Sequence, residues 1–291
     1  MDRRQFLTRA MGAAGLAVAA PQLLYAHAPF RSVTDRFDLG ATGITHSYLA
    51  IGTGTVSGSK QRALGMEGFS RLMHHAYDAG INFFDCADSY RTHPFLKPVF
   101  DELPRDKIVI QSKMGAHDAK RAQADIERFL KELDVDYIDM VLCHCARTAD
   151  WEKEREGAME VLAKAKEKGW IRAHGVSVHG MEPLRATAEC KWIDHGFFRF
   201  NHVGTEAMMD GTPDEVAPLV KKVRDNGKGV LAMKITGEGK LMGEEIDKSL
   251  HYVLTKPYVQ GMIIGFEKPE EIDDILRRSE AILKEAARMA A

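Results

Sequence analysis

Apolar residues recur along the chain in two alternating rhythms. Short, nearly continuous runs, SYLAIGT, INFFDC, KIVIQSK, YIDMVLCH, IRAHGVSV, FFRFN, GVLAMK and GMIIGF, are separated by longer segments whose apolar positions return every three or four residues. Runs apolar on both faces suit strands covered on both sides, as in a parallel sheet. The intervening segments read as helices with one apolar stripe. Ala122, Ile126, Phe129, Leu130 and Leu133 form one stripe, and Ala158, Val161, Leu162 and Ala165 the next, with Gly169 as its C-terminal stop. Thr212, Pro213 and Glu215 form a capping-box start ahead of Val216, Leu219, Val220 and Val223, which Gly227 closes. Ile272, Ile275, Leu276 and Leu283 make the last stripe.

Strand–helix units repeated eight times, with no long linker of Pro, Ser or Gly, predict an α/β fold: a single-domain (β/α)8 TIM barrel over residues 36–288. A doubly wound open sheet is the competing arrangement. It calls for a GxGxxG turn from a strand into a helix, and neither GTGTVSG nor GEGK has that spacing.

Composition adds exclusions. Lys and Arg number 40 against 42 Asp and Glu, a formal charge of -2 that implies no nucleic-acid partner. Cys86, Cys143, Cys145 and Cys190 have neither metal-ligand nor disulfide-framework spacing and read as buried thiols. The first 28 residues are different. Arg3 and Arg4 precede Phe6 and Leu7, a weakly apolar run from Ala10 to Ala20 follows, and small residues stand at Ala26 and Ala28. This is a twin-arginine export pattern, too short and too rich in Gly and Ala for a stable membrane span. It predicts the twin-arginine machinery as a partner and an exported, periplasmic location, although Pro29 is a poor residue to follow a cleavage site.

In such a barrel chemistry gathers at the C-terminal ends of the strands. The polar residues there are Asp85 after the second run, Lys113 after the third and His144 after the fourth, with Tyr90 in the loop leaving the second. A phenol, with an ordinary pKa of about 10, donates a proton near neutrality when a cation stabilises its phenolate. Lys113 can be that cation, Asp85 can hold Lys113, and His144 can orient a carbonyl that Tyr90 protonates.

These residues lie in motifs that resemble the aldo-keto reductase family from about Phe37 to about Leu283: FDLGATGITHSYLAIGTGT, DCADSY, IQSKMG, YIDMVLCHC, GWIRAHGVSV and GMIIGFEKPEEIDDIL. The resemblance implies the catalytic set Asp85, Tyr90, Lys113 and His144, and NADP or NAD as cofactor. It further implies a small aldehyde, ketone or alcohol substrate. The cofactor contacts it implies are Thr53, Asp85, Ser177, Lys234, Gly265, Phe266 and Lys268. Four departures stand out. Arg91 occupies a usual glycine, Val178 follows Ser177 where Asn is frequent, FRFNHVGTE lacks the ring-stacking Tyr, and Glu271 stands where a phosphate-binding Arg is common.

Two other readings compete. A metal-dependent barrel hydrolase would use His144, His179, His202, His93 and His117; a noncatalytic nucleotide-binding barrel would keep the fold without turnover. Strand alternation further places Cys143 and Cys145 on the face opposite His144.

Overall fold

In a computed structural model of the chain, residues 31–290 are described, so the twin-arginine pattern of residues 1–28 lies outside the described residues. A hairpin opens them: β1 (Arg36–Asp38) pairs antiparallel with β2 (Thr45–Ser47). Eight parallel strands then close a barrel: β3 (Leu49–Gly52), β4 (Phe83–Asp85), β5 (Val109–Met114), β6 (Ile138–Ala146), β7 (Ile171–Val178), β8 (His195–Arg199), β9 (Gly229–Met233) and β10 (Gly261–Gly265). Sequence neighbours pair throughout, and β10 pairs β3 to complete the circle. The eight runs forecast from the sequence are these eight strands, which excludes the open sheet.

Helices follow the strands in turn. They are α1 (Ser59–Arg62), α2 (Gly65–Asp78), α3 (His93–Glu102), α4 (Ala119–Leu133), α5 (Trp151–Glu154), α6 (Glu156–Glu167), α7 (Met181–Glu189), α8 (Pro213–Asp225), α9 (Glu244–Leu254) and α10 (Pro269–Ala290). The stripe Ala122, Ile126, Phe129 and Leu133 is the buried face of α4. The Thr212–Glu215 capping box starts α8, and Gly169, at φ +75°, follows α6.

Apolar side chains form two cores. One lies between the helices and the sheet; the other fills the barrel, where Leu39 and Ile44 of the hairpin turn meet Phe83, Met140, Leu142 and Phe197. The hairpin thus stoppers the N-terminal end of the barrel. Its three-residue strands are too short to show a period, so the apolar pattern did not reveal it. Inside this floor lie two fully buried histidines, His46 against the Phe83 ring and His195 at the start of β8.

Asp139 of β6 ties the outer edge of that floor. Its buried carboxylate accepts from Arg105 (2.8 Å), Arg172 (2.7 Å) and the Ile110 backbone N–H (2.9 Å). Removing it strands a buried donor, which typically costs about 1–3 kcal/mol. Asp139→Ala is therefore expected to lower the urea-unfolding free energy by about that amount, with little change in m-value.

Candidate active site

β4 ends in Asp85, and the next residues turn into one short 3-10 helix, Asp88–Tyr90. That turn is pinned from three sides. Asp88 pairs with Arg128 of α4 at 2.8 Å, Arg62 of α1 donates to the Tyr90 carbonyl, and the Tyr90 ring lies against Gly54. A Cβ at Gly54 would stand 2.5 Å from that ring, so the GTGT segment after β3 needs glycine there to admit the phenol. Arg91 leaves the turn at φ 56°, ψ 34°. The position is left-handed, the conformation glycine adopts without strain, and an L-residue there costs roughly 1–2 kcal/mol.

Lys113 of β5 is fully buried, and its ammonium donates to Asp85 Oδ1 (2.5 Å) and to the Cys86 carbonyl (2.9 Å). The same ammonium lies 4.9 Å from the centroid of the Tyr90 ring. Burial opposes its charge, yet Asp85 and Tyr90 more than offset this, and its pKa lies above the ordinary lysine value. Burial pushes the Tyr90 phenol up, while Lys113 pulls the other way. His144 meets Tyr90 edge to face, with ring centroids 5.6 Å apart. Burial first, then Lys113, His179, Arg155 and Arg147, holds the His144 imidazole well below its usual pKa. It is therefore neutral near pH 7, and one ring nitrogen can donate to a carbonyl oxygen. Asp85, Tyr90, Lys113 and His144 thus converge on one rim.

A local irregularity positions His144. Met140 and Leu142 face the barrel interior, and His144 continues their alternation. Register between β6 and β7 then slips between Cys143 and Ala146, and Cys145 adopts φ +61°. This bulge overturns the expected alternation for Cys145: Cys143 is buried in the outer core, whereas Cys145 is partly exposed beside Arg147, whose Nε donates to its Sγ at 3.2 Å. Ser177 accepts the Cys145 N–H at 2.8 Å, and Arg155 donates to the His144 carbonyl at 2.8 Å.

A cleft with a cavity of about 630 Å³ opens from Asp85 and Tyr90. Phe197 and Met233 form its apolar wall near the phenol; Gly54, Thr55, Gly265 and Phe266 form the backbone-rich side; and Glu267, Glu270, Glu271 and Asp274 line the far end. Glu238 bridges its rim, accepting from the Val56 N–H (3.0 Å) and pairing with Lys234 (3.1 Å). Of the expected cofactor contacts, Asp85, Lys234, Gly265 and Phe266 line this cleft. Thr53, Ser177 and Lys268 are outside its lining. Thr53 bonds the Asp85 carbonyl (3.0 Å) and Thr92 (2.8 Å), so its hydroxyl fastens one loop to the next.

Phe197, Met233 and Gln61 were missed from sequence. Strand alternation could have found the first two, since each is the inward residue near its strand's end. Gln61 gave no signal; its amide links Thr55 to the Phe266 carbonyl (3.1 Å) across the barrel seam.

The histidines of the metal reading are dispersed. His93 bonds Glu132 (2.8 Å) and Ser112 (2.9 Å), His179 accepts from Arg199 (2.6 Å), and His202 meets Glu245 (2.8 Å). Among the described residues no group of three or more His, Cys, Asp or Glu could hold a metal ion.

Known proteins similar to this chain point to one family. The chain is 26% identical over 224 residues to probable aldo-keto reductase 1 of Glycine max, an alignment spanning 72% of this chain and 61% of that relative's length. It is 22% identical over 251 residues to the NADH-specific methylglyoxal reductase of Escherichia coli K12, spanning 78% of this chain and 72% of that protein. The crystal structure of a putative aldo-keto reductase from Pseudomonas aeruginosa superposes with a TM-score of 0.74 at 25% identity, covering 87% of this chain and 98% of the other. The model of the Aldo/keto reductase family matches residues 48–249, more than half of the sequence, and the chain belongs to that family of nicotinamide-dependent oxidoreductases.

Proposed function

We propose that the protein reduces the carbonyl of a small aldehyde or ketone, or oxidises the corresponding alcohol, with Tyr90 as the group that gives or takes the proton. The observation that carries this reading is the buried Lys113–Asp85 pair set directly beneath the Tyr90 ring. The cleft fits a nicotinamide dinucleotide. Phe197 and Met233 offer a flat apolar wall beside the phenol, and the close approach of Gly54 and Gly265 to their neighbours keeps the opposite wall free of side chains. Lys60 and Lys234 supply cations. When bound, the dinucleotide supplies the hydride.

The remaining chemistry belongs to the chain. Neutral His144 donates a hydrogen bond to the carbonyl oxygen and orients it toward Tyr90. The phenol then gives its proton to that oxygen, and Lys113 stabilises the phenolate left behind. Asp85 keeps the Lys113 ammonium in place. Loss of such a proton donor typically costs 10²–10⁴-fold. Tyr90→Phe is expected to lower kcat by about that factor while dinucleotide affinity, read by fluorescence titration, stays within about twofold.

Of the two dinucleotides, we propose NAD. Four carboxylates, from Glu267, Glu270, Glu271 and Asp274, face the far end of the cleft, where Lys60 pairs with Glu267 at 3.6 Å. That end suits the hydroxyls of a ribose and repels an added phosphate. A family relative is named as NADH-specific, which supports the choice. NADH is expected to bind more tightly than NADPH, and Glu270→Lys to narrow the gap by about fivefold, since exposed charge pairs contribute up to about 1 kcal/mol. Equal affinities in the wild-type protein would refute the choice.

The sequence of residues 1–28 supports export by the twin-arginine route, which carries proteins already folded, so we propose a periplasmic enzyme loaded with its dinucleotide before transport. Fractionation should recover the protein outside the cytoplasm, and the Arg3→Lys, Arg4→Lys double variant should remain inside.

A further inference from the structure

We infer that Gln111, held by His195, is a positioning residue that sets the acid strength of Tyr90 through the Asp85–Lys113 pair. The inference rests on the reductase reading above.

Gln111 and Lys113 are two residues apart on β5, so both point into the barrel. Gln111 is fully buried, and its amide spans the interior. Nε2 donates to Asp85 Oδ1 at 2.6 Å, and Oε1 lies 3.1 Å from His195 Nε2. A carboxylate only accepts, so the amide nitrogen must face Asp85 and the amide oxygen must face His195. His195 must then donate from Nε2, which leaves Nδ1 as a bare acceptor. Nδ1 is the ring nitrogen for which the structure shows no partner. The whole row therefore has one direction: His195 to Gln111 to Asp85, with Lys113 reaching the same carboxylate oxygen from the other side at 2.5 Å.

Burying an amide and an imidazole in a barrel interior costs free energy that a methionine and a phenylalanine of similar shape would avoid. What the polar pair achieves is a division of Oδ1 between two donors. While Gln111 holds that oxygen, Asp85 neutralises Lys113 less completely, and more of the ammonium's field reaches the phenol. Burial keeps His195 neutral, its pKa pushed down to about 3, so its donor role persists across the working range. The charged or titratable groups facing the row are Lys113, Asp85, Cys86 and His144 around Tyr90, and Asp194, His174 and His46 around His195.

The test places a polyfluorinated tyrosine at position 90, whose more acidic phenol brings the midpoint into range, and follows its ionisation by fluorine NMR. Turnover is not needed for this readout. Gln111→Met should move the midpoint up by roughly half to one pH unit, the scale of a partly transmitted hydrogen bond to a charged group. His195→Phe should shift it in the same direction by less, and His195→Gln, which can still donate, should restore it. In the unlabelled enzyme kcat should fall about three- to tenfold in Gln111→Met with KM unchanged. Midpoints of Gln111→Met and wild type that coincide would overturn the inference even if activity fell. Should Gln111→Met not fold, identical midpoints for His195→Phe and His195→Gln would overturn it equally. Absence of carbonyl turnover in the wild-type enzyme would instead refute the reductase reading and leave the titration to stand by itself.

Discussion

A lysine ammonium with no solvent exposure is the constraint around which this barrel mouth is organised. Left alone in an apolar interior it would give up its proton, and the cost of keeping the charge falls only if a carboxylate and further acceptors meet it. Asp85 and the Cys86 carbonyl do so, and both lie where β4 ends. The pair therefore joins the tips of two adjacent strands and fixes where the chain turns away toward Tyr90. Phenol, ammonium and carboxylate are thus held by main-chain geometry as much as by their own contacts. Thr53 extends that anchoring to the neighbouring strand by bonding the Asp85 carbonyl.

Much of this was legible in the sequence, because barrel strands and strand-end residues leave marks in the apolar pattern. Eight runs became eight strands, and Asp85, Lys113 and His144 could be placed on one rim by reading the polar residue that ends a run. What escaped lacks a period. The β1–β2 hairpin has three-residue strands, and the bulge at Cys145 depends on register with β7, a long-range property. Gln111 sits inside KIVIQSK, where a single amide in an apolar run carries no indication of what it bonds. Ser177 and Thr53, expected as cofactor contacts, also bond backbone at the Cys145 bulge and at Asp85. A small hydroxyl can serve either purpose, and the sequence does not say that it fastens backbone.

The departures from the family pattern have physical readings of their own. Arg91 takes a left-handed turn that glycine would make without cost, so an exposed arginine is held there at the expense of local strain. Met233 and Phe197 together present the apolar wall that the segment FRFNHVGTE does not announce. Carboxylates crowd one end of the cleft, and the ammonium of Lys113 lies beneath the other. The far end of the cleft is therefore acidic, whereas beneath the phenol the Lys113 ammonium is met by the Asp85 carboxylate.

The stoppered barrel floor carries a further consequence. His46 and His195 are sealed inside it, each with one ring nitrogen unpaired, and burial lowers their pKa values from 6.5 to about 4 and about 3. In the unfolded chain both imidazoles take up protons once the pH drops below about 6.5. In the folded chain they stay neutral until far lower, so the unfolded state binds more protons throughout the interval and stability declines as pH falls through it. His174 and His179, lowered to about 4 and about 3, add to the same slope. The fold thus loses histidine-linked stability as the pH falls below about 6.5, and Asp210, whose carboxyl burial raises to about 6, opposes part of that slope by taking up its proton in the folded chain. The folded chain therefore registers the acidity of its surroundings in its own stability.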